Sequence, residues 1–222
     1  MSPDMLFMLL WKSLLQTLHM VAASGLIGSA IGLPIGIFLA TSGKDELFPA
    51  PMLNYVVGLV VNAARSTPFI ILVVAIIPFT RLLAGTSIGT TAAIVPLTIA
   101  TIPFFARLVE AAIREIDKGL IEAARAMGAT PMQIVFKVLL AEARPAILLA
   151  FTMTIVSLIG YSAMVGAVGG GGLGDLGIRY GYQRFMPDVM LAVVVVLIVL
   201  VQLVQSAGDT LARRFDKRNR KS

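Results

Sequence analysis

Few side chains among these 222 residues could do chemistry, and their types narrow that chemistry at once. There is one histidine, His19, and no cysteine, so a thiol nucleophile, a disulfide framework and a cysteine-ligated metal are excluded, and His19 alone cannot make a zinc site. Gly169, Gly171 and Gly174 satisfy the G-x-G-x-x-G spacing of a dinucleotide loop, but that spacing cradles a pyrophosphate only between a strand and a helix, and here an apolar run that reads as a membrane helix precedes it. No G-x-x-x-x-G-K-[ST] occurs, so the chain cannot cradle ATP phosphates itself. No catalytic residue and no metal-ligand set emerges. What remains is suited to contact rather than bond making: Glu122, Ala123, Ala124 and Gly128 in a charged stretch, and Arg65, Ser157, Tyr161 and Met164 in or beside apolar runs.

The elements that must position these residues are membrane spans. The chain is 58% hydrophobic and 14% charged, with a mean hydropathy of +0.91, whereas a water-soluble domain is about 45–50% apolar and about 25% charged. Charge-free runs extend over Ser13 to Gly43, Leu82 to Ala106, Pro145 to Gly174 and Val189 to Gly208. Each reaches the roughly 20 residues that cross about 30 Å of hydrocarbon. Met52 to Thr80 is apolar except for Arg65. A mid-span arginine costs roughly 2.5–3.5 kcal/mol on insertion scales, which its Ile, Val, Leu and Phe neighbours offset, so this stretch counts as a fifth span.

Five spans put the termini on opposite sides. The segments after spans one, three and five hold thirteen Lys and Arg, against four on the other side (Lys12, Arg81, Arg179 and Arg184), which places the C-terminus in the cytoplasm and the N-terminus outside. The first run is too long, and its flank not basic enough, for a cleaved signal peptide. The basic tail, residues 209–222, reads as a topology determinant or a contact with anionic lipid rather than a nucleic-acid site. No linker interrupts the chain, so residues 1–222 form one domain.

Residues 107–144 carry 11 of the 30 charges and are the one substantial water-facing insertion. In GLIEAARAM, Leu120, Ile121, Ala124 and Met127 recur at helical spacing, and Gly128 supplies a left-handed stop. Thr130, Pro131 and Gln133 match a second helix start with a capping box, and Pro145 ends that helix near Ala143. The pattern predicts a short cytosolic helix, turn and helix held against the membrane base. Two alanines after Glu122 admit a close neighbour, and such a helix can sit in a partner's cleft and act as a lever. A solvated hairpin between spans is the plainer alternative.

Glu122-Ala123-Ala124, with Gly128 six residues after the glutamate and a hydrophobic helix following, resembles the EAA motif of ABC-importer permease subunits. Val138 stands for the motif's isoleucine and Leu140 matches its leucine, while Ala141 replaces its proline. NAARSTPFIIL (Asn62 to Leu72), IEAARAMGATPMQI and the stretch Ile159 to Phe185 are similar to the permeases of methionine importers. The resemblance implies that residues 119–143 are a coupling helix gripped by an ATP-binding subunit, that ATP and Mg bind that partner and not this chain, and that a separate extracytoplasmic binding protein delivers the solute. It implies methionine, in both enantiomers and close analogues, as that solute, and the inner membrane of a bacterium as the location.

Within the spans, alternatives stay open. Arg65, in a segment interrupted by Pro68 and Pro78, is either a residue of the translocation path or an arginine snorkelling at the cytoplasmic end of a late-starting helix capped by Ser66 and Thr67. Ser157, Gly160, Tyr161 and Met164 fall at helical steps and either line a path, with Met164 as an apolar gate that the resemblance favours, or only pack. Ser162, Gly166 and Gly170 form a small-residue ridge for close helix contact. His19 is expected to be hydrogen-bonded within the bundle, and the Gly169 to Gly174 run to be a flexible turn or a shaped surface for the binding protein. Asp175, Arg179 and Arg184 are expected to form an outer polar rim.

The expected fold is therefore an all-α integral membrane protein of five transmembrane helices with a cytoplasmic helix-turn-helix. Five helices can hardly surround a solute, so a homodimer, with two ATP-binding subunits beneath it, is expected to enclose the path. The rivals are an importer subunit for another amino acid or small solute and an ATP-independent channel or carrier. A membrane-embedded enzyme is disfavoured because the deep apolar runs hold no Asp, Glu or Lys.

Overall fold

The computed structural model describes residues 2–215; Lys217, Arg218, Arg220 and Lys221 of the basic tail lie outside them. Helix α1 (Pro3–Thr41) is followed by α2 (Pro51–Ser66), α3 (Phe69–Ala75), α4 (Ile77–Ala84) and α5 (Thr90–Arg114). Then come α6 (Lys118–Ala126) and α7 (Pro131–Gln133), which runs through a π-helical segment Ile134–Leu139 into α8 (Leu140–Glu142). The chain closes with α9 (Arg144–Ala167), α10 (Gly172–Leu176) with its π-helical continuation Gly177–Tyr182, and α11 (Pro187–Phe215). Helices α1, α5, α9 and α11 are long and apolar enough to cross a membrane, and α2 and α3 pass the same measure only together, as a pair bent by 100° that is a broken span or a re-entrant loop. The architecture is the expected all-α membrane bundle.

The bundle is built around α1 and α5. Gly28, Gly32 and Gly36 repeat every four residues on one face of α1, and that face lies directly on α5. A Cβ at Gly28 would stand 2.5 Å from Thr101 Cβ, one at Gly32 2.8 Å from the Ile102 carbonyl, and one at Gly36 2.5 Å from the Ala106 carbonyl. In a bilayer, where apolar burial gains nothing over lipid, such backbone approach is a principal source of helix association. Three buried hydroxyls close their hydrogen bonds inside their own helices: Ser24 donates to the Met20 carbonyl (2.6 Å), Thr101 to Leu97 (2.7 Å) and Thr154 to Ala150 (2.8 Å).

Three expectations change. Helix α5 begins at Thr90 and not near Leu82, because Gly85 (φ 72) ends α4 and Gly89 (φ 97) turns the chain. The helix therefore runs on without a break through Arg107, Glu110 and Arg114, the first residues of the charged insertion. The stretch expected as a fifth span is broken after Ser66: Pro68 has no N–H to continue α2, and Ser66 and Thr67 donate their hydroxyls back to the carbonyls of Asn62 (2.9 Å) and Ala63 (3.3 Å) instead of capping a following helix. His19 is exposed and takes no hydrogen bond among the described residues. The buried face of α1 runs through Thr17, Met20, Val21 and Ser24, and position 19 lies about 200° around the helix from Thr17.

Candidate functional site

The charged insertion folds as the predicted helix, turn and helix. Asp117 accepts the Gly119 N–H (2.6 Å) to start α6. At the other end the Gly128 N–H donates to the Arg125 carbonyl (2.9 Å) and the Ala129 N–H to the Ala124 carbonyl (3.0 Å), a pattern that needs Gly128 in the left-handed region, at φ 79. Thr130 and Gln133 then form the capping box, with Thr130 N–H to Gln133 Oε1 at 2.9 Å. The second helix ends at Glu142 and Arg144–Pro145 restarts the chain as α9, so the break that a proline at position 141 would make falls at Ala143.

The insertion has two faces. Ala124 is buried with Val109, Ile113, Ile134, Val135 and Leu139, which fixes α6 to the end of α5. Glu122, Ala123 and Gly128 face out, so only one of the two motif alanines is free to admit a neighbour. Leu120 and Met127, two of the residues at helical spacing, are exposed, Met127 by 82%, and with Met132 and Phe136 they leave apolar surface on the rigid handle. Glu122 and Arg125 border a cleft of ≈390 Å³ whose opposite wall is Asp45, Glu46 and Leu47 of the loop after α1.

Directly above the handle lies a buried network whose arginines entered the sequence reading only as counted charges. The Glu110 carboxylate, 7% exposed, takes an ion pair from Arg107 and another from Arg114 (3.0 Å). Arg107 donates to the Gly58 carbonyl of α2 (2.9 Å), and Arg114 to the Leu39 carbonyl of α1 (3.3 Å), which also accepts from the Asn54 amide (2.9 Å). One carboxylate thus joins α1, α2 and α5 where they meet the handle. The i, i+3, i+7 spacing of Arg107, Glu110 and Arg114 was a legible signal for such a cluster on one helix.

Halfway along the bundle, Arg65 and Tyr161 line a shared cleft of ≈170 Å³ with Ala64, Thr67, Phe69, Leu72, Ala100 and Phe104. Tyr161 stacks on Phe69 at 4.5 Å between centroids. Arg65 is about 21 Å along α2 from Pro51 and beside the middle of α5. Arg65 is exposed one residue before the end of α2, just ahead of the break after which α3 starts at Phe69. Ser157 and Met164 share the open face of α9 with Tyr161, Met164 being 47% exposed, but neither reaches the cleft. The opposite face carries the small-residue ridge: Ser162 and Gly166 are buried, and a Cβ on Gly166 would collide with the backbone of Gly174 and Asp175.

The glycine run is a shaped turn. Gly169, Gly171 and Gly172 all have positive φ. Its amides are pinned to α1, Gly172 N–H to Gln16 Oε1 (3.0 Å) and Leu173 N–H to Thr17 Oγ1 (2.9 Å). Beyond it Arg179 pairs with Asp175 (2.7 Å), and Arg184 lies 4.4 Å over the Tyr180 ring.

Comparison with known proteins gives a consistent picture. Residues 32–221 match the family described as the binding-protein-dependent transport system inner membrane component. A probable D-methionine transport system permease protein from Vibrio cholerae is 56% identical over 218 residues, which is 98% of this chain and 95% of that protein. A counterpart from Pasteurella multocida is 50% identical over 206 residues, 93% of this chain and 95% of the relative. A chain from a solved structure of inward-facing conformations of the MetNI methionine ABC transporter superposes with a TM-score of 0.95 at 52% identity, covering 98% of this chain and all of that one.

Proposed function

Because the chain belongs to the family of binding-protein-dependent transport system inner membrane components, we propose that it is the membrane-spanning permease subunit of an ATP-driven ABC importer for methionine. The observation that carries this reading is the handle: apolar surface at Leu120, Met127, Met132 and Phe136, beside Glu122, Ala123 and Gly128, on a helix clamped from behind by Ala124. Rigid backing with an uncovered apolar front is what transmission of force from a second protein requires. The chain has no phosphate-binding loop, so the partner is the ATP-binding subunit, which holds ATP and Mg and hydrolyses the nucleotide.

Two copies of the chain enclose the path between them and rest on two ATP-binding subunits, and an extracytoplasmic binding protein delivers the solute to the end that carries the glycine turn. The N-terminus is outside and the C-terminus in the cytoplasm of a bacterium. When the ATP-binding subunits close, each handle is displaced, and the Glu110 network carries that displacement into α1, α2 and α5 together. Arg65, Ser157, Tyr161 and Met164 lie on the faces that line the path. The test is uptake of radiolabelled methionine by proteoliposomes holding the permease, the ATP-binding subunits and the binding protein, competed by other amino acids. Uptake that needs ATP and is competed best by methionine supports the reading; uptake without ATP, or indifference to methionine, overturns it.

A further inference from the structure

Arg65 has no counter-ion among the described residues. The ion pairs among the described residues are Arg107–Glu110, Arg114–Glu110 and Arg179–Asp175, and none includes Arg65. Arg65 is exposed and lines one cleft with Ala100 and Phe104 from the middle of α5, and within a bilayer an ionised group is costly unless it is paired or hydrated. The described residues of a second copy offer no free anion at this depth. Glu110 is held by two arginines, Asp4, Asp175 and Asp188 lie at the glycine-turn end, and Asp45, Glu46, Glu115, Asp117, Glu122, Glu142 and Asp209 lie toward the handle end. Among the described residues, no acidic side chain reaches the level of Arg65.

We propose that Arg65 receives the carboxylate of the transported amino acid, making the cleft between the α2–α3 break and Tyr161 the half-site in which the solute pauses midway. A guanidinium offers two parallel N–H donors to a carboxylate, a stronger and more directional pairing than a neutral hydrogen bond. The same break exposes acceptors for the solute's ammonium group: Pro68 has no N–H, so the Ala64 carbonyl, which lines the cleft, is left without its donor four residues on. Half-helix ends that bind charged groups of a solute at the midplane recur where membrane helices are broken. Phe69 and Tyr161, stacked at 4.5 Å, with Leu72 and Phe104, give the apolar wall for the side chain. At ≈170 Å³ the cleft is smaller than the roughly 300–1,000 Å³ of a complete ligand site, so the facing copy completes it.

This inference rests on the importer reading and names the chemistry of its path. The wild-type complex with its ATP-binding subunits, in nanodiscs, is treated with phenylglyoxal, and modification of Arg65 is followed by peptide mass spectrometry. Free methionine should slow labelling of Arg65 at least fivefold while methioninamide, which lacks the charged carboxylate, should not. In proteoliposomes with binding protein, Arg65→Gln should lower methionine moved per ATP at least tenfold and Arg65→Lys should restore much of it, with ATP hydrolysis stimulated by loaded binding protein unchanged in both. Equal protection by acid and amide, no protection, undiminished transport by Arg65→Gln, or loss of ATP hydrolysis with transport would overturn the assignment while leaving methionine import standing. If the wild-type complex moves no methionine, protection by the carboxylate of another amino acid would correct the solute and keep the role of Arg65, and protection by none would end both.

Discussion

The two ends of the bundle are held together by different chemistry. At the handle end a buried carboxylate and two arginines bind carbonyls from two other helices. At the far end the glycine turn is held on α1 by two neutral hydrogen bonds, from backbone amides to Gln16 and Thr17. A charged network with several partners resists separation, whereas two neutral bonds of about 0.5–1.5 kcal/mol each can be exchanged for water or other partners. The handle end is thus built to move as one piece and the glycine-turn end to release, which is the asymmetry an inward push needs.

Glu110→Gln breaks the stiff end. It leaves two arginines without their shared carboxylate, at a cost toward the lower end of about 3–5 kcal/mol because Arg114 is half exposed; a fall in the Tm of the purified complex larger than for any change below, with loss of uptake, is expected. Gly172→Ala attacks the other end, where φ is 79 and a Cβ would stand 2.7 Å from Thr17 Oγ1; about 1–3 kcal/mol of strain should lower Tm by less and weaken the turn's protection against hydrogen exchange.

Gly128→Asp sharpens the contrast by touching the handle surface alone. Its Cβ would meet nothing within 4 Å, so the folded-state cost is the left-handed backbone, about 1–2 kcal/mol and less for Asp than for most residues. Membrane insertion should be normal while uptake falls and the ATP-binding subunit is pulled down less well; normal uptake with unchanged pull-down would remove the coupling role. The smallest effect is expected from Asp175→Asn, which loses an ion pair whose arginine is half exposed and should change Tm by the equivalent of no more than about 1 kcal/mol.

Much of this was legible in the sequence because its signals are local. Gly128, Thr130, Gln133 and Pro145 each act within a turn of themselves, and the handle they specify forms as predicted. Span boundaries were less legible, since charge-free runs stop at Arg107 although a helix can carry charges that pair within it, as Glu110 does with Arg107 and Arg114. The 100° bend depends on Pro68 acting together with Ser66 and Thr67, whose hydroxyls turn back onto α2. The exposure of His19 depended on which face of α1 meets α5, and the Gly28, Gly32 and Gly36 repeat is the signal that sets it. At the candidate path, helical spacing placed Tyr161 on an open face, but only the fold brings it beside Arg65.

The most direct measurement uses the absence of cysteine from the chain. Met127→Cys places a single thiol on the exposed front of the handle in the assembled importer, with single cysteines placed across the facing surface of the ATP-binding subunit. Formation of a cross-link whose yield differs between ATP-bound and nucleotide-free complexes, with the thiol in whole cells unreactive to an impermeant maleimide, is the expected result. A thiol labelled from outside the cell, or one that never cross-links in a complex importing at full rate, would contradict the account.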